Sequence, residues 1–429
     1  MLTRFNQIFE LTKNNTSVKQ EITAGFTTFF TCAYILAVNA MILSDAGVPL
    51  EAGVIATALS SLAGCLLMAF WANSPLVLIP GMGINAFFVY TLVQSMGLSW
   101  QSALGAVFVS GIIFAVLAFT RYSTMLAAAI PHSLKDAITV GIGLFLTFIG
   151  LQKGGLIVKN DSTFVAMGNL GSLHVILTLI SLTIALILFV RNVKGSFLIS
   201  MVAGTILAIL TGEVTLTDWH AEGFSSASLT TVLGAFSLKD MISLPFWIAC
   251  FSLLMIILFE NMSLIQGILP DQGKFKRSYQ TTAIATMMSG VFGTSPTVAS
   301  VESAAGIAAG GRTGLTAMTT GILFMVSLFL LPFVKLIPDS AVAPILIIIG
   351  ALMIQHIQKI PLQDFSEGFP AFLIIALIPL TASIADGIAF GFIAYPLMKL
   401  ALGKVKEIPA PLYVLSSLFL LNFLLHSIT

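Results

Sequence analysis

The chain has 429 residues, of which 57% are hydrophobic and only 9% charged, and its mean hydropathy is +1.03. Soluble domains carry about 25% charged residues, so a soluble fold is excluded. Nineteen Lys and Arg against eighteen Asp and Glu leave a formal charge of +1, with no basic face for nucleic acid and no charged tail.

Residues 1–22 are polar and mildly basic and lack an apolar core leading to a small-residue cleavage site, so no cleaved signal is expected. Apolar segments follow at about 24–43, 51–71, 82–95, 101–120, 135–151, 172–190, 195–211, 243–262, 277–293, 302–310, 313–335, 340–358, 369–384, 386–402 and 409–427. Most approach the ~20 residues that cross a bilayer; 82–95 and 302–310 are too short. The chain reads as a polytopic all-α membrane protein. Arg4, Lys13 and Lys19 precede the first span, and Arg121 and Lys135, Arg191 and Lys194, and Lys274, Lys276 and Arg277 mark later connections on the same side. The connections at 44–50 and 94–101 carry no Lys or Arg, which places the N-terminus in the cytoplasm. Lys153, Lys159 and Lys239 form the outer minority. In 369–427 three apolar stretches stand where two spans are expected: either 386–402 is a shortened partner of 369–384, or 409–427 is an extra helix.

Cys32, Cys65 and Cys250 lie inside apolar segments without paired spacing and read as packing residues. His132, His174, His220, His356 and His426 show no ligand spacing, so no metal is assigned. Neither a phosphate-binding loop nor a nucleophile motif occurs, and no enzyme activity or cofactor is expected.

The segments repeat. "GIIFAVLAF" at 111–119 returns as "GILFMVSLF" at 321–329, and "IPHS" at 130–133 as "IPDS" at 337–340. Ser74-Pro75 matches Ser295-Pro296, and the same offset lays Asn39 on Glu260. Seven spans separate matched points, so the second copy enters the membrane from the opposite side, as in many secondary transporters. The expected fold is 14 transmembrane segments in a 7+7 inverted repeat: residues 23–212, a connecting loop at 213–242, and residues 243–429.

"SPLVLIPGMGINAFF" (74–88) and "SPTVASVESAAG" (295–306) occupy equivalent places. Proline disfavours helix in the residue before it, and β-branched residues favour extended backbone. Each stretch therefore reads as a short strand followed by a half-helix, at about 75–95 and 296–310. Extended backbone at membrane depth must be buried in protein or line a cavity, so the two pieces are expected to pair and to aim half-helix N-termini with free N–H donors at one site. Glu302 falls at the first turn of the second half-helix, with Ser300 as a cap. Glu260 ends the apolar run "FWIACFSLLMIILF". A charged residue inside a membrane helix costs about 2.5–3.5 kcal/mol on insertion scales, so such acids usually face a pathway. Asp136, Asp339 and Asp386 lie near segment ends and read as interfacial.

"EITAGFTTFFTCAYILAVN", "NSPLVLIPGMGINAFF", "SWQSALGAVFVSGIIF" and "ESAAGIAAGGRTGLTA" closely resemble the AzgA-like purine permeases of the nucleobase transporter superfamily, over about residues 20–405. The resemblance implies a core domain (about 23–120 and 243–335) moving against a gate domain (about 130–212 and 338–429), and import of adenine, guanine or hypoxanthine with protons. It further implies that Asn85, Glu260 and Glu302 contact the purine. Glu260 is expected to carry the coupling proton and Glu302 mainly to hold substrate. Gly81, Phe87 and Ser303 are further substrate-binding candidates. The expected partners are a purine base and the lipid bilayer of the plasma membrane, with a homodimer as an open alternative and no nucleic acid. One departure stands out: the family usually shows Phe-Asp-Thr followed by Gly-Thr-Leu, whereas this chain has "FENMSLIQG" at 259–267, and Ala40 replaces a common Pro. The competing reading on the same fold is a carrier of sulfate, bicarbonate or chloride, which would use half-helix dipoles and no acids.

Overall fold

The computed structural model describes residues 2–120, 130–215 and 226–426. Arg121 and His220 lie outside the described residues, as does the side chain of His426. In chain order the first half holds α1 (Leu2–Phe9), α2 (Val18–Cys32), α3 (Ile35–Ser44), α4 (Leu50–Leu67), β1 (Leu78–Pro80), α5 (Met82–Ala86) and α6 (Trp100–Phe119). It continues with α7 (His132–Lys153), the hairpin β2 (Ile157–Asn160) and β3 (Phe164–Met167), α8 (Leu173–Val190) and α9 (Ser196–Thr211). After α10 (Ser226–Val232), the second half holds α11 (Leu244–Ile268), α12 (Phe275–Phe292), β4 (Thr297–Ala299), α13 (Ser303–Ala308), α14 (Gly314–Val326), α15 (Asp339–Ile354), α16 (Phe365–Thr381), α17 (Ile384–Ala401) and α18 (Ala410–His426). Among the described residues nine helical stretches are long and apolar enough to cross a membrane.

The two strand-plus-half-helix elements are present where Pro and the β-branched residues place them. The β2–β3 hairpin, α10 inside the expected 213–242 loop, and two further local features were not legible. The first span breaks between Cys32 and Ile35, where Leu36 N–H turns to the Ala33 carbonyl and Ala37 N–H to Tyr34. The first half-helix continues from Phe87 to Ser95 as a wider π-type helix. Such turns frequently mark functional sites. Region 369–427 contains three separate helices.

The described chain divides into two compact units, one of residues 1–119 and 150–345, the other of 120–149 and 346–429. In the first, the order helix, helix, strand, short helix, helix occurs twice, from α2/α3 to α6 and from α11 to α14. The packing repeats with it: α6 lies on α12, and α14 on α4. Glycine permits each approach. A Cβ added at Gly111 of α6 would lie 2.4 Å from the Met287 Cα, and one at Gly321 of α14 would lie 2.7 Å from the Cys65 Cβ. These are the leading residues of the two matching nine-residue stretches, so the repeat extends from sequence to contact.

Glu21 of α2 is fully buried and caps the start of α14. Its Oε1 accepts from Arg312 N–H (2.8 Å), and its Oε2 accepts from Thr313 N–H (3.2 Å) and the Thr316 hydroxyl (2.6 Å). A carboxylate suits this end of the helix dipole. Nearby, in the connection between α11 and α12, Lys274 donates to Asn14 Oδ1 and to the Arg312 carbonyl, each at 3.1 Å. Burial pulls its ammonium below the ordinary lysine value, opposed by Asp271. Asp339 meets Lys153 at 3.4 Å, and Lys153 also meets Asp45 at 3.0 Å.

The second unit is built on α16 and α17, joined through Ala382 in a left-handed conformation (φ 51°). Lys399 of α17 is 2% exposed and lies between Glu367 (2.7 Å) and Glu407 (2.8 Å). Glu367 also accepts from the Tyr395 hydroxyl (2.7 Å) and from Ser133 of α7 (2.5 Å). In the same unit Asp136 pairs with His356 at 2.9 Å.

Candidate functional site

β1 and β4 cross antiparallel, with Leu78 opposite Ala299, Ile79 opposite Val298 and Pro80 opposite Thr297. All six residues are buried. Ser300 N–H donates to the Val77 carbonyl (3.1 Å) and Gly81 N–H to the Pro296 carbonyl (3.3 Å), extending the ribbon at both ends. Backbone without water must find every partner inside the protein, and side chains close the ribbon's outer edges. Val77 N–H donates to Ser303 Oγ (2.9 Å), and Ala299 N–H to Asn261 Oδ1 (2.9 Å). The Thr286 hydroxyl donates to the Thr297 carbonyl (3.0 Å), and the Ser60 and Thr297 hydroxyls bond at 2.6 Å.

Glu302 stands at the N-cap of α13, half-buried, one residue before the first turn. The Tyr34 hydroxyl donates to its Oε1 at 2.7 Å. The Ser300 hydroxyl donates to its Oε2 and accepts the Glu302 N–H at 3.2 Å. The first N–H groups of this half-helix are not free donors: Ser303, Ala304 and Ala305 turn to the carbonyls of Ser300, Val301 and Glu302. The short helix closes these tight turns itself, so the donors expected from the macrodipole argument are lost at this end. At the repeat offset, the residue matching Glu302 is Gly81, the N-cap of α5, and the residue matching Glu260 is Asn39. Both acids therefore lie in the second copy, and the site is chemically asymmetric on a symmetric frame.

Asn39 is the hub of the other copy. Its Nδ2 donates to Thr57 Oγ1 (2.7 Å) and Thr294 Oγ1 (3.1 Å), and its Oδ1 accepts from the Ser295 hydroxyl (3.2 Å). Its carbonyl accepts from Asn85 Nδ2 at 3.3 Å. Asn85 is fully buried, and its Oδ1 has no partner among the described residues. Leaving a buried acceptor unmet costs about 1–3 kcal/mol.

The structure thus gathers Glu302, Ser303 and Gly81 at the ribbon. A Cβ on Gly81 would lie 2.8 Å from Val298 Cγ2. Glu260 is half-buried on α11, next to Asn261, whose amide grips β4 three residues before Glu302. Phe87 is fully buried. Tyr34, Asn39 and Asn261 escaped sequence reasoning. Tyr34 offered no signal beyond one polar tip in an apolar span, although Asn39 matched Glu260 in the repeat. The departure at 261–263 finds its place: Asn261 holds backbone, and Ser263 is exposed on α11. Asn261→Leu is expected to leave the Ala299 N–H unmet and to cost about 1–3 kcal/mol, read as a lower melting midpoint in detergent; an unchanged midpoint would show that the ribbon does not depend on this amide.

Residues 19–390 match the permease family Xan_ur_permease. The chain is similar to the nucleobase transporter PlAzg2 of Paenibacillus larvae, with 48% identity over 383 residues, 88% of this chain and 77% of that one. It is 40% identical to the guanine/hypoxanthine permease PbuO of Bacillus subtilis, over 97% of this chain and 99% of the relative. The adenine permease AdeP of Escherichia coli is 37% identical over 97% and 95% of the two chains. Among solved structures, the transmembrane domain of the cyanobacterial bicarbonate transporter BicA superposes with a TM-score of 0.66 at 16% identity, covering 86% of this chain and 96% of that one. The murine anion transporter Slc26a9 in its inward-facing state gives 0.68 at 12% identity, covering 90% and 68%. At such identities these neighbours speak for the fold alone. With its membrane helices, its paired broken elements and a match spanning most of its length, the chain belongs to the permease family Xan_ur_permease and is a membrane transport protein, not an enzyme.

Proposed function

We propose that the protein imports purine nucleobases (adenine, guanine or hypoxanthine) by proton symport with alternating access. One observation carries the reading: a half-buried carboxylate, Glu302, stands at the crossing of two broken elements, with each oxygen already steadied by a hydroxyl. A purine is flat and uncharged and carries N–H donors beside ring-nitrogen and carbonyl acceptors. A carboxylate accepts two N–H bonds at once, and the Asn85 amide oxygen is a further unmet acceptor. The similar permeases are named for nucleobases, for guanine and hypoxanthine, and for adenine, which agrees with this chemistry. In this reading Glu260 takes up and releases the coupling proton. The chain crosses the plasma membrane fourteen times from a cytoplasmic N-terminus, and a core of about 23–120 and 243–335 moves against a gate of about 130–212 and 338–429.

The anion reading draws support from the fold, since the superposed neighbours are named as bicarbonate and anion transporters. Folds host many functions, and two acids in the second copy repel an anion. Competition for labelled hypoxanthine and adenine uptake by a panel of bases and anions, at two pH values, tests both. Purines alone are expected to compete, with faster uptake at the acid pH, and Glu260→Gln is expected to remove that pH dependence. Inhibition by sulfate or bicarbonate without purine competition would overturn the assignment.

A further inference from the structure

Tyr34 sits in the break of the first span, between α2 and α3, and its side chain is fully buried. Its ring meets Phe197 of α9 edge-on at a centroid distance of 5.2 Å, and Phe197 stacks on Phe189 at 5.8 Å. In the conformation described, this aromatic stack braces the ring. A buried phenol needs a hydrogen-bond partner, and the Tyr34 hydroxyl finds it in Glu302 Oε1 at 2.7 Å, across 268 residues of sequence. The other donor to Glu302, Ser300, is two residues away on the same strand end and travels with it. Tyr34 is thus the donor that ties the carboxylate to the first copy of the repeat.

An ionised carboxylate has about four acceptor lobes. Tyr34 and Ser300 occupy one on each oxygen and leave one on each, enough for two adjacent N–H donors such as the ring N1–H and exocyclic amino group of guanine. Without the Tyr34 hydroxyl the carboxylate plane would be held by Ser300 alone and would turn about its last torsion, a broad one for glutamate.

We propose that Tyr34 is a positioning residue of the substrate site, setting the plane of the Glu302 carboxylate for two-point recognition of a nucleobase edge. The proposal rests on Glu302 as the substrate-holding acid. Tyr34→Phe keeps the ring and its Phe197 contact and removes only the hydroxyl. In cells, the KM for guanine uptake is expected to rise about tenfold, the scale of one hydrogen bond to a charged acceptor, with the maximal rate per transporter within twofold. The preference for guanine over 1-methylguanine is expected to shrink, because the ring N1–H and the exocyclic amino group form the two-point contact that methylation at N1 breaks. Should Tyr34→Phe fail to accumulate in the membrane, guanine binding to the detergent-purified variant supplies the same comparison of base and methylated base. Unchanged KM and unchanged discrimination, with Glu302→Gln inactive, would overturn the role of Tyr34 and leave the substrate reading standing. A lowered maximal rate at constant KM would also overturn it. Wild-type uptake in Glu302→Gln would remove the reading itself, and the proposal with it.

Discussion

Glu302→Gln is expected to reach the membrane and to lose saturable purine uptake, with kcat/KM down by at least about a hundredfold, since charge-assisted hydrogen bonds are about twice as strong as neutral ones and two are affected. The geometry explains the severity of so small a change. The carboxylate receives the Tyr34 hydroxyl on one oxygen and the Ser300 hydroxyl on the other. An amide has one oxygen and one NH2 group, so one of those hydroxyls would face a donor and have to turn away. The same swap removes half of the acceptor pair offered to a base. Folding should survive, because the ribbon beside Glu302 is held by other groups: Ser303, Asn261 and Thr286 close its edges. Uptake of labelled hypoxanthine, normalised to membrane abundance, is the measurement. Wild-type rates in the glutamine variant would eliminate an acidic socket as the recognition element.

Lys399→Met is expected to be the most destabilising single change in the second unit, at about 3–5 kcal/mol, the scale for breaking a buried ion pair from one side. Lys399 is 2% exposed and bridges Glu367 and Glu407. Glu407 is half in solvent and can turn outward; Glu367 cannot, because Ser133, Tyr395 and Lys399 converge on it from α7 and α17. Methionine fills the volume but leaves a half-buried carboxylate with hydroxyl donors and no cation. The double variant Lys399→Met with Glu367→Gln should recover most of the loss, since removing both members of a buried pair is far less costly than removing one. Melting midpoints of the purified single and double variants in detergent decide it. A single variant that melts with the wild type would mean that the pair contributes nothing net.

Much of this molecule is legible in short windows of its sequence. Composition alone assigns lipid as the solvent, because a chain with so few charges has no way to cover itself in water. Ser74-Pro75 and Ser295-Pro296, each ahead of β-branched residues, announce the two broken elements, since proline and branching at Cβ act on the backbone of their immediate neighbours. The spacing of matched stretches announces the repeat, down to Gly111 and Gly321 at equivalent helix crossings. Glu260 and Glu302 stand out because an acid is costly in such a setting wherever it folds.

The pairing of polar groups was decided by tertiary structure. Tyr34 reaches Glu302, Asn39 reaches Thr294 and Ser295, and Asn261 reaches Ala299, partners that no local pattern connects. The free N–H donors expected at the second half-helix disappear for a similar reason: Ser303 to Ala305 found closer acceptors in their own tight turns. Backbone preference is a property of a few consecutive residues, so sequence alone determined the two broken elements and the acids. A hydrogen bond depends on tenths of an ångström between helices whose separation is set by glycine contacts and side-chain packing elsewhere, so only the folded chain decided which groups hold the carboxylate.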